Sequence, residues 1–201
     1  RALYKGMMKS RVRTVIDAEV GQLQLHDSSF NKDFEPKFVI AGGNEAIKKI
    51  AAIPEVKIVA ARSITQGMLT TTTGSTGVQI NGVVPEQEYE TSQLKKKLIE
   101  GKPFNTEKKN EIMIGKKLAV KMKLKIGSKS VLTFSDTAVN IVAAAFRVAA
   151  IYQSDNAPLD EKNVYVTMDE MNVLLTNGNT FHEIAVLLKN DEDVNKIQQQ
   201  L

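Results

Sequence analysis

The stretch Val78-Gln-Ile-Asn-Gly-Val-Val-Pro-Glu86 decides how the chain is built. Up to Val84, apolar and polar side chains alternate with the period of a half-buried strand. Pro85 ends that pattern, because its fixed φ and missing N–H suit the first turn of a helix. Glu86, Glu88 and Glu90 suit the positive end of such a helix, Lys95–Lys97 suit the negative end, and Gly101 stops it. Gly82 and Pro85, at the change from strand to helix, are expected to form a joint between two subdomains.

Upstream, Val56–Arg62 reads as a strand, and Ile64–Thr73 extends it with β-branched residues. Thr73-Gly-Ser-Thr-Gly77 is a turn, so a long hairpin is expected. Met68, Leu69 and Thr70 lead into its uncharged tip. The plain reading is a flexible tip; the functional one is a contact for an apolar ligand or partner. Asn44–Ile53 is a short helix with Asn44 as N-cap and Pro54 as stop. Glu19–His26 alternates as a strand once past Gly21, and Asp27–Glu35 is a polar loop. Ala2–Ala18 reads as a helix whose apolar residues form no clean stripe, so it needs an outside partner.

Downstream, Glu111–Ile114 is a short strand and Lys116–Lys123 an amphipathic helical turn. Val131–Phe134 and Val139–Tyr152 are strands, the second apolar on both faces and expected to be buried on both. Asp155–Lys162 is a polar connection containing Pro158. Asn163–Met168 is a strand, and Thr167-Met-Asp-Glu170 is a capping box opening a helix to about Thr176. Asn177–Asn179 closes that helix, Phe181–Leu188 is a strand, and Asn190/Asp191 caps a last helix. The fold class is α+β, with a basic, β-rich middle inserted between two parts of one α+β subdomain.

The chain has 201 residues, 42% apolar and 25% charged, enough for an ordinary core and against wholesale disorder. It contains no cysteine, which removes disulfides, thiolate metal sites and cysteine nucleophiles. Its two histidines, His26 and His182, lie far apart, so most histidine-based catalytic and zinc constellations cannot be assembled. No enzymatic activity is expected. Residues 95–129 hold twelve lysines against Glu100, Glu107 and Glu111, a local net of +9, whereas residues 155–201 carry −6. A solvated lysine-rich face is the plain reading; a surface for anionic lipid or nucleic acid is the alternative. The absence of arginine from 95–129, with Phe104 its one aromatic, weakens the nucleic-acid case. No run reaches the roughly 20 apolar residues of a membrane span. The chain begins at Arg1 rather than Met, so a piece of a longer protein is expected.

Other candidates are weak. His26 with Asp27, Asp33 and Glu35 lacks a spacing that fixes three metal ligands. His182 and Glu183 are strand neighbours and point to opposite faces. Asp191-Glu-Asp193 lacks the glycine and alternating ligands of a calcium loop and reads as a helix-start cluster. Gly42–Gly43 lacks the lysine of a phosphate loop. No metal or cofactor site is expected.

Five stretches in order carry a resemblance over about residues 18–188. They are Val20-Gly-Gln-Leu-Gln-Leu-His26, Val78–Glu86, Ile112-Met-Ile-Gly-Lys-Lys-Leu-Ala119, Leu124-Lys-Ile-Gly-Ser128, and Phe146-Arg-Val-Ala-Ala-Ile-Tyr152 leading to Val164-Tyr-Val166. The chain resembles the extracytoplasmic domain of MacB-like ABC transporter permeases, especially their lipoprotein-releasing LolC/LolE branch. The resemblance implies a periplasmic domain of a bacterial inner-membrane protein. It implies a stalk helix (1–17), a Porter-like subdomain in two parts (18–76 and 159–201) and a Sabre-like insertion (77–158). It implies a second permease subunit, a cytoplasmic ABC ATPase, and a lipoprotein or a periplasmic adaptor or carrier as partners, with no nucleic acid. Ser135-Asp-Thr-Ala138 is too short for the carrier-recruiting hook of LolC-like members, so a LolE-like or other exporter role fits better.

Overall fold

A computed structural model describes residues 14–19, 22–27, 40, 43–176 and 181–201. Strands β1 (Thr14–Glu19) and β2 (Gln22–Asp27) pair antiparallel. This corrects the helix expected over Ala2–Ala18 and the stalk helix reaching residue 17. Thr14–Ala18 is strand, and residues 1–13 lie outside the described residues, as does most of the loop expected over Asp27–Glu35. The ladder with β2 supplies the partner that a stripe-less helix would have lacked. Helix α1 (Gly43–Ala51) begins one residue before Asn44, which therefore sits in its first turn rather than at its N-cap.

Strands β3 (Val56–Thr71) and β4 (Gly74–Val83) form the expected long hairpin. Its turn is only Thr72–Thr73, and Gly74–Gly77, expected as turn, is strand. The helix expected from Pro85 is two helices, α2 (Pro85–Thr91) and α3 (Leu94–Lys97), because Gln93 takes a left-handed φ of 56° between them. Strand β5 (Leu98–Gly101) follows, then β6 (Glu111–Gly115), helix α4 (Lys116–Met122), and strands β7 (Lys129–Ser135) and β8 (Ile141–Tyr152). Asp155–Lys162, expected as a plain connection, contains helix α5 (Ala157–Lys162). Pro158 fits its first turn, and the Asn156 side chain accepts the Leu159 N–H. The chain ends with β9 (Asn163–Thr167), α6 (Met168–Leu175), β10 (Glu183–Leu188), a 3₁₀ turn over Asp191–Asp193, and α7 (Val194–Gln200). The capping box at Thr167 is not made; Glu170 Oε1 instead accepts the Asn110 N–H at 2.6 Å.

The strand pairing closes on itself. β3 pairs with β4, β4 with β9 in parallel, β9 with β6, β6 with β8 in parallel, β8 with β7, and β7 back with β3. This six-stranded ring encloses one core, with Leu69, Ile80, Ile112, Ile114, Leu132 and Phe146 all but fully buried inside it. Because β6 and β9 run antiparallel, the helices that follow them close opposite ends of the barrel. α4 inserts Leu118, Ala119 and Met122 at the end where Thr73 Oγ1 donates to the Met122 carbonyl. α6 inserts Met171 and Leu175 at the other end, where the Thr137 N–H donates to the Leu175 carbonyl. The barrel draws on the far half of β3 and on β9 as well as on residues 77–158.

The first half of β3 leaves the ring and joins an antiparallel sheet in the order β1-β2-β10-β3. One face of this sheet carries Leu23, Val59, Ala61, Ile184 and Val186 against Ile50 of α1 and Ile197 of α7, a second core. α2 lies on the opposite face. The two cores share β3 and α6, since Met168 belongs to the second and Met171 to the first. A third, smaller cluster lies outside the barrel wall. There Met113, Ala150, Tyr152 and the partly buried Tyr165 pack under Leu94, Tyr89 and Leu98. β8 is thus buried on both faces only near its C-terminal end. Ile141 at its start is 80% exposed, which corrects the expectation of burial throughout.

Candidate functional site

The feature that stands out at the junction of sheet and barrel is a buried charge cluster. Arg62 lies on β3 where the strand passes from one core to the other, directly opposite Glu183 on β10 and Val83 on β4. The even-numbered positions of this part of β3 face α2, so Arg62 points into the space under that helix. Its Nε and Nη2 donate to the two carboxylate oxygens of Glu88 on α2, at 2.8 and 2.9 Å. Its Nη1 donates to Glu183 Oε1 at 2.6 Å. All three residues are buried, Glu88 to 1% exposure. Burial works against the guanidinium charge, but the Glu88 and Glu183 carboxylates outweigh it and raise the Arg62 pKa. The bidentate fork fixes α2 on the sheet in one orientation, which a hydrophobic contact does not do.

Around the cluster the junction is densely bonded. The Ile64 N–H donates to His182 Nδ1 at 2.8 Å, which leaves that nitrogen as an acceptor, and the His182 N–H donates to the Arg62 carbonyl. Ser63 Oγ donates to Asn172 Oδ1 of α6 at 2.6 Å. A cavity of about 350 Å³ opens beside Arg62 and Glu183, with Asn81, Tyr165 and Lys97 among its walls. Burial, then the Glu88 charge, raises the Tyr165 pKa, so its phenol stays protonated over the ordinary pH range. At the cavity's edge Asp160 is held by the Ser154 N–H and hydroxyl. A second hollow of about 460 Å³ lies between α4 and α5, beside the Lys121–Glu161 pair at 2.7 Å. Among the described residues no three His, Cys, Asp or Glu are placed to hold a metal, and no helix is long and apolar enough to cross a membrane.

The residues singled out in the sequence fall in two places. Gly82 and Pro85 are both at the junction. Gly82 pairs with Ser63 and Val166, and a Cβ added there would lie 2.7 Å from Met171 Sδ and 3.0 Å from Met171 Cβ. It is a close-packing glycine that lets α6 lie on β4. Gly82→Ala is therefore expected to cost about 1–3 kcal/mol in urea unfolding, by overpacking. Pro85 opens α2, as expected. Met68 is 44% exposed on the outer barrel wall and Thr70 is partly buried there, but Leu69 is fully buried and faces the barrel core. Leu69 therefore cannot meet a partner. His26 aligns with Glu183 in the β2–β10 ladder, while Asp33 and Glu35 lie outside the described residues. Gly43 packs against the Phe181 ring, which accounts for a small residue at that position. Two members of the basic stretch meet at Gln153, whose N–H donates to the Lys97 carbonyl and whose side chain accepts from Lys116.

Sequence reasoning missed Arg62, Glu88 and Glu183. One signal was present: Arg62 is the only charge between Lys57 and Glu86. A lone charge in so long an uncharged strand run marks a buried, paired group.

The family model of the MacB-like periplasmic core domain matches residues 2–201. The chain belongs to that family. It is thus a periplasmic or extracellular domain of an ABC transporter permease of the MacB type, and the mixed helix and strand architecture matches such domains. The periplasmic region of MacB from Actinobacillus actinomycetemcomitans superposes with a TM-score of 0.61 at 12% identity. That match covers 89% of this chain and 79% of the other. The extracellular domain of the noncanonic ABC-type transporter YknZ from Gram-positive bacteria gives a TM-score of 0.55 at 16% identity, over 76% and 75%. No curated protein matches by sequence. Family membership favours the permease reading over a free-standing module for anionic lipid or nucleic acid.

Proposed function

We propose that this MacB-like domain is a non-catalytic transmission element. It carries the motion of the permease's membrane helices, driven by ATP hydrolysis in the cytoplasmic ATPase, into release or export of a lipoprotein or another amphiphile. In this reading it works beside a second permease subunit and hands substrate to a periplasmic adaptor or carrier. The observation that supports it most is the junction. β3 and α6 run through both cores, and α2, entered through Gly82 and Pro85, is fixed to the sheet by the Arg62 fork. In this reading a displacement of the sheet shifts α2 against β3 at this joint, and the Arg62 fork to Glu88 sets its resting position. Porter-like and Sabre-like parts divide at this junction.

The test is to bridge α2 to β3 in the full permease, with Gln87→Cys and Ala60→Cys joined by a short crosslinker. ATP-dependent substrate release should fall at least tenfold while ATP hydrolysis persists. Release at the unbridged rate with the joint locked would sink the reading.

A further inference from the structure

We propose that the hollow between α4 and α5 docks a short acidic segment of a partner protein, its carboxylates on the surrounding lysines and an apolar side chain on Val120. The inference deepens the permease reading and rests on it only for there being a partner outside the membrane. The site follows from how α4 is placed. Leu118, Ala119 and Met122 face the barrel core. Lys116, Lys117, Val120 and Lys121, spaced i, i+1, i+4 and i+5, are therefore turned outward on one stripe. Val120 is 72% exposed in the middle of that stripe. Ala157, Asp160 and Glu161 of α5 form the other bank, and Gln153 and Ser154 complete the walls.

The charges at this hollow do not cancel. Asp160 is buried and turned inward, where it accepts from the Ser154 N–H and hydroxyl. Glu161 is the carboxylate left to the lysines. Lys121 Nζ donates to it at 2.7 Å, and that bond lowers the Glu161 pKa, with the charges of Lys117 and Lys162 adding to the effect. Lys116 Nζ reaches only the neutral Gln153 Oε1, at 3.4 Å. Lys116, Lys117, Lys121 and Lys162 thus share a single surface carboxylate. Glu161 also shows what these ammonium groups take: a carboxylate that stays partly open to water.

Charge and shape together select the occupant. A surplus of cations calls for an anionic partner. Nucleic acid is read with guanidinium forks and stacking rings, and the hollow is lined by neither. A bilayer presents its phosphates in a plane, whereas these lysines rise from two helices on either side of a depression. A small inorganic anion would leave Val120 uncovered. An acidic segment with an apolar residue between its carboxylates matches the cations, the concave shape and the exposed valine at once. Ser154 and Asp160 line this hollow and also the cavity beside Arg62, so a docked segment would sit next to the junction of the two cores.

The probe is a labelled synthetic peptide of repeated Glu-Glu-Leu units, with a Gln-Gln-Leu twin and a Glu-Glu-Ser twin, titrated onto the 201-residue chain by fluorescence anisotropy. The Glu-Glu-Leu peptide should bind at least tenfold tighter than the Gln twin and at least threefold tighter than the Ser twin. Lys117→Glu with Lys121→Glu should weaken it at least tenfold. Lys95→Glu with Lys96→Glu, the same charge change on exposed lysines of α3, should weaken it less than threefold. Val120→Ser should erase the advantage over the Ser twin. Equal binding of the peptide and its Gln twin, or equal losses in the two double variants, would overturn the proposal. So would binding to phosphatidylglycerol vesicles that Lys117→Glu with Lys121→Glu abolishes, since the hollow would then be a lipid site. The bridged joint in the full permease reports the permease reading separately. No peptide binding, with release lost on bridging, refutes the hollow alone; specific peptide binding, with release indifferent to bridging, supports the hollow while removing the transmission reading.

Discussion

Replacing Arg62 by methionine is expected to destabilise the domain by about 3–5 kcal/mol in urea unfolding, the range for removing one member of a buried ion pair. The loss is large because Glu88 and Glu183 stay buried without their cation. Removing the carboxylate charges as well, with Glu88→Gln and Glu183→Gln on the Arg62→Met background, should recover more than half of the deficit. If the triple variant is no more stable than Arg62→Met alone, packing rather than unpaired charge sets the cost. Arg62→Lys should also be poorly tolerated, since an ammonium cannot reproduce the two-toothed contact with Glu88.

Gly115→Ala is the second change with a large expected effect. Gly115 ends β6, and a Cβ there would lie 1.9 Å from the Asp160 carbonyl oxygen and 2.6 Å from its carbonyl carbon. Both are backbone atoms of α5, so no rotamer change relieves the clash; the helix itself must move. We expect a loss of about 3 kcal/mol or more, at the upper end of overpacking penalties. The displacement should also break the bonds from Ser154 to Asp160. Faster hydrogen exchange at the Ser154 amide would report it, and an unchanged melting temperature would refute the close approach.

A third expectation concerns Asp136. Its pKa is lowered by the backbone bond from Asn140, then by the Asn140 side chain and the Ala138 N–H. A carboxylate with a lowered pKa contributes stability above the ordinary carboxylate range and loses it as pH falls through the folded value. Exchange at the Ala138 and Asn140 amides should therefore quicken on acidification, and in Asp136→Ala it should be fast at neutral pH. Slow, pH-independent exchange would count against the cage.

What the sequence made legible was local. The β3–β4 hairpin, the strand-to-helix change at Pro85, the Lys116 helix and the strand over Asn163–Thr167 all carry their period or their punctuation in adjacent residues. The errors lie where partners far along the chain override local preference. Thr14–Ala18 has no stripe because its partner is a ladder with β2. Pro158 breaks the pattern of a connection, yet it sits in the first turn of α5. Thr167 and Glu170 have the spacing of a capping box, but Glu170 finds Asn110 instead. Barrel closure depends on parallel pairs such as Val83 with Thr167, which leave no trace in either segment alone. The junction was half visible: Gly82 and Pro85 marked the place, and the charges that fasten it looked like ordinary surface groups.

The ring of strands also sets a timetable. β4 has a strand partner waiting in β3 as soon as it leaves the ribosome, but its other neighbour, β9, arrives some 80 residues later. Until Asn163–Thr167 has been delivered, the hairpin Val56–Val83 keeps one unpaired edge, and an open edge invites pairing with other chains. The segment that will close it passes through the secretion machinery last among the barrel strands. Folding outside the cytoplasm is thereby tied to the completion of export, so truncations before residue 167 should aggregate, whereas chains that keep β9, the α6 plug and β10 should stay soluble.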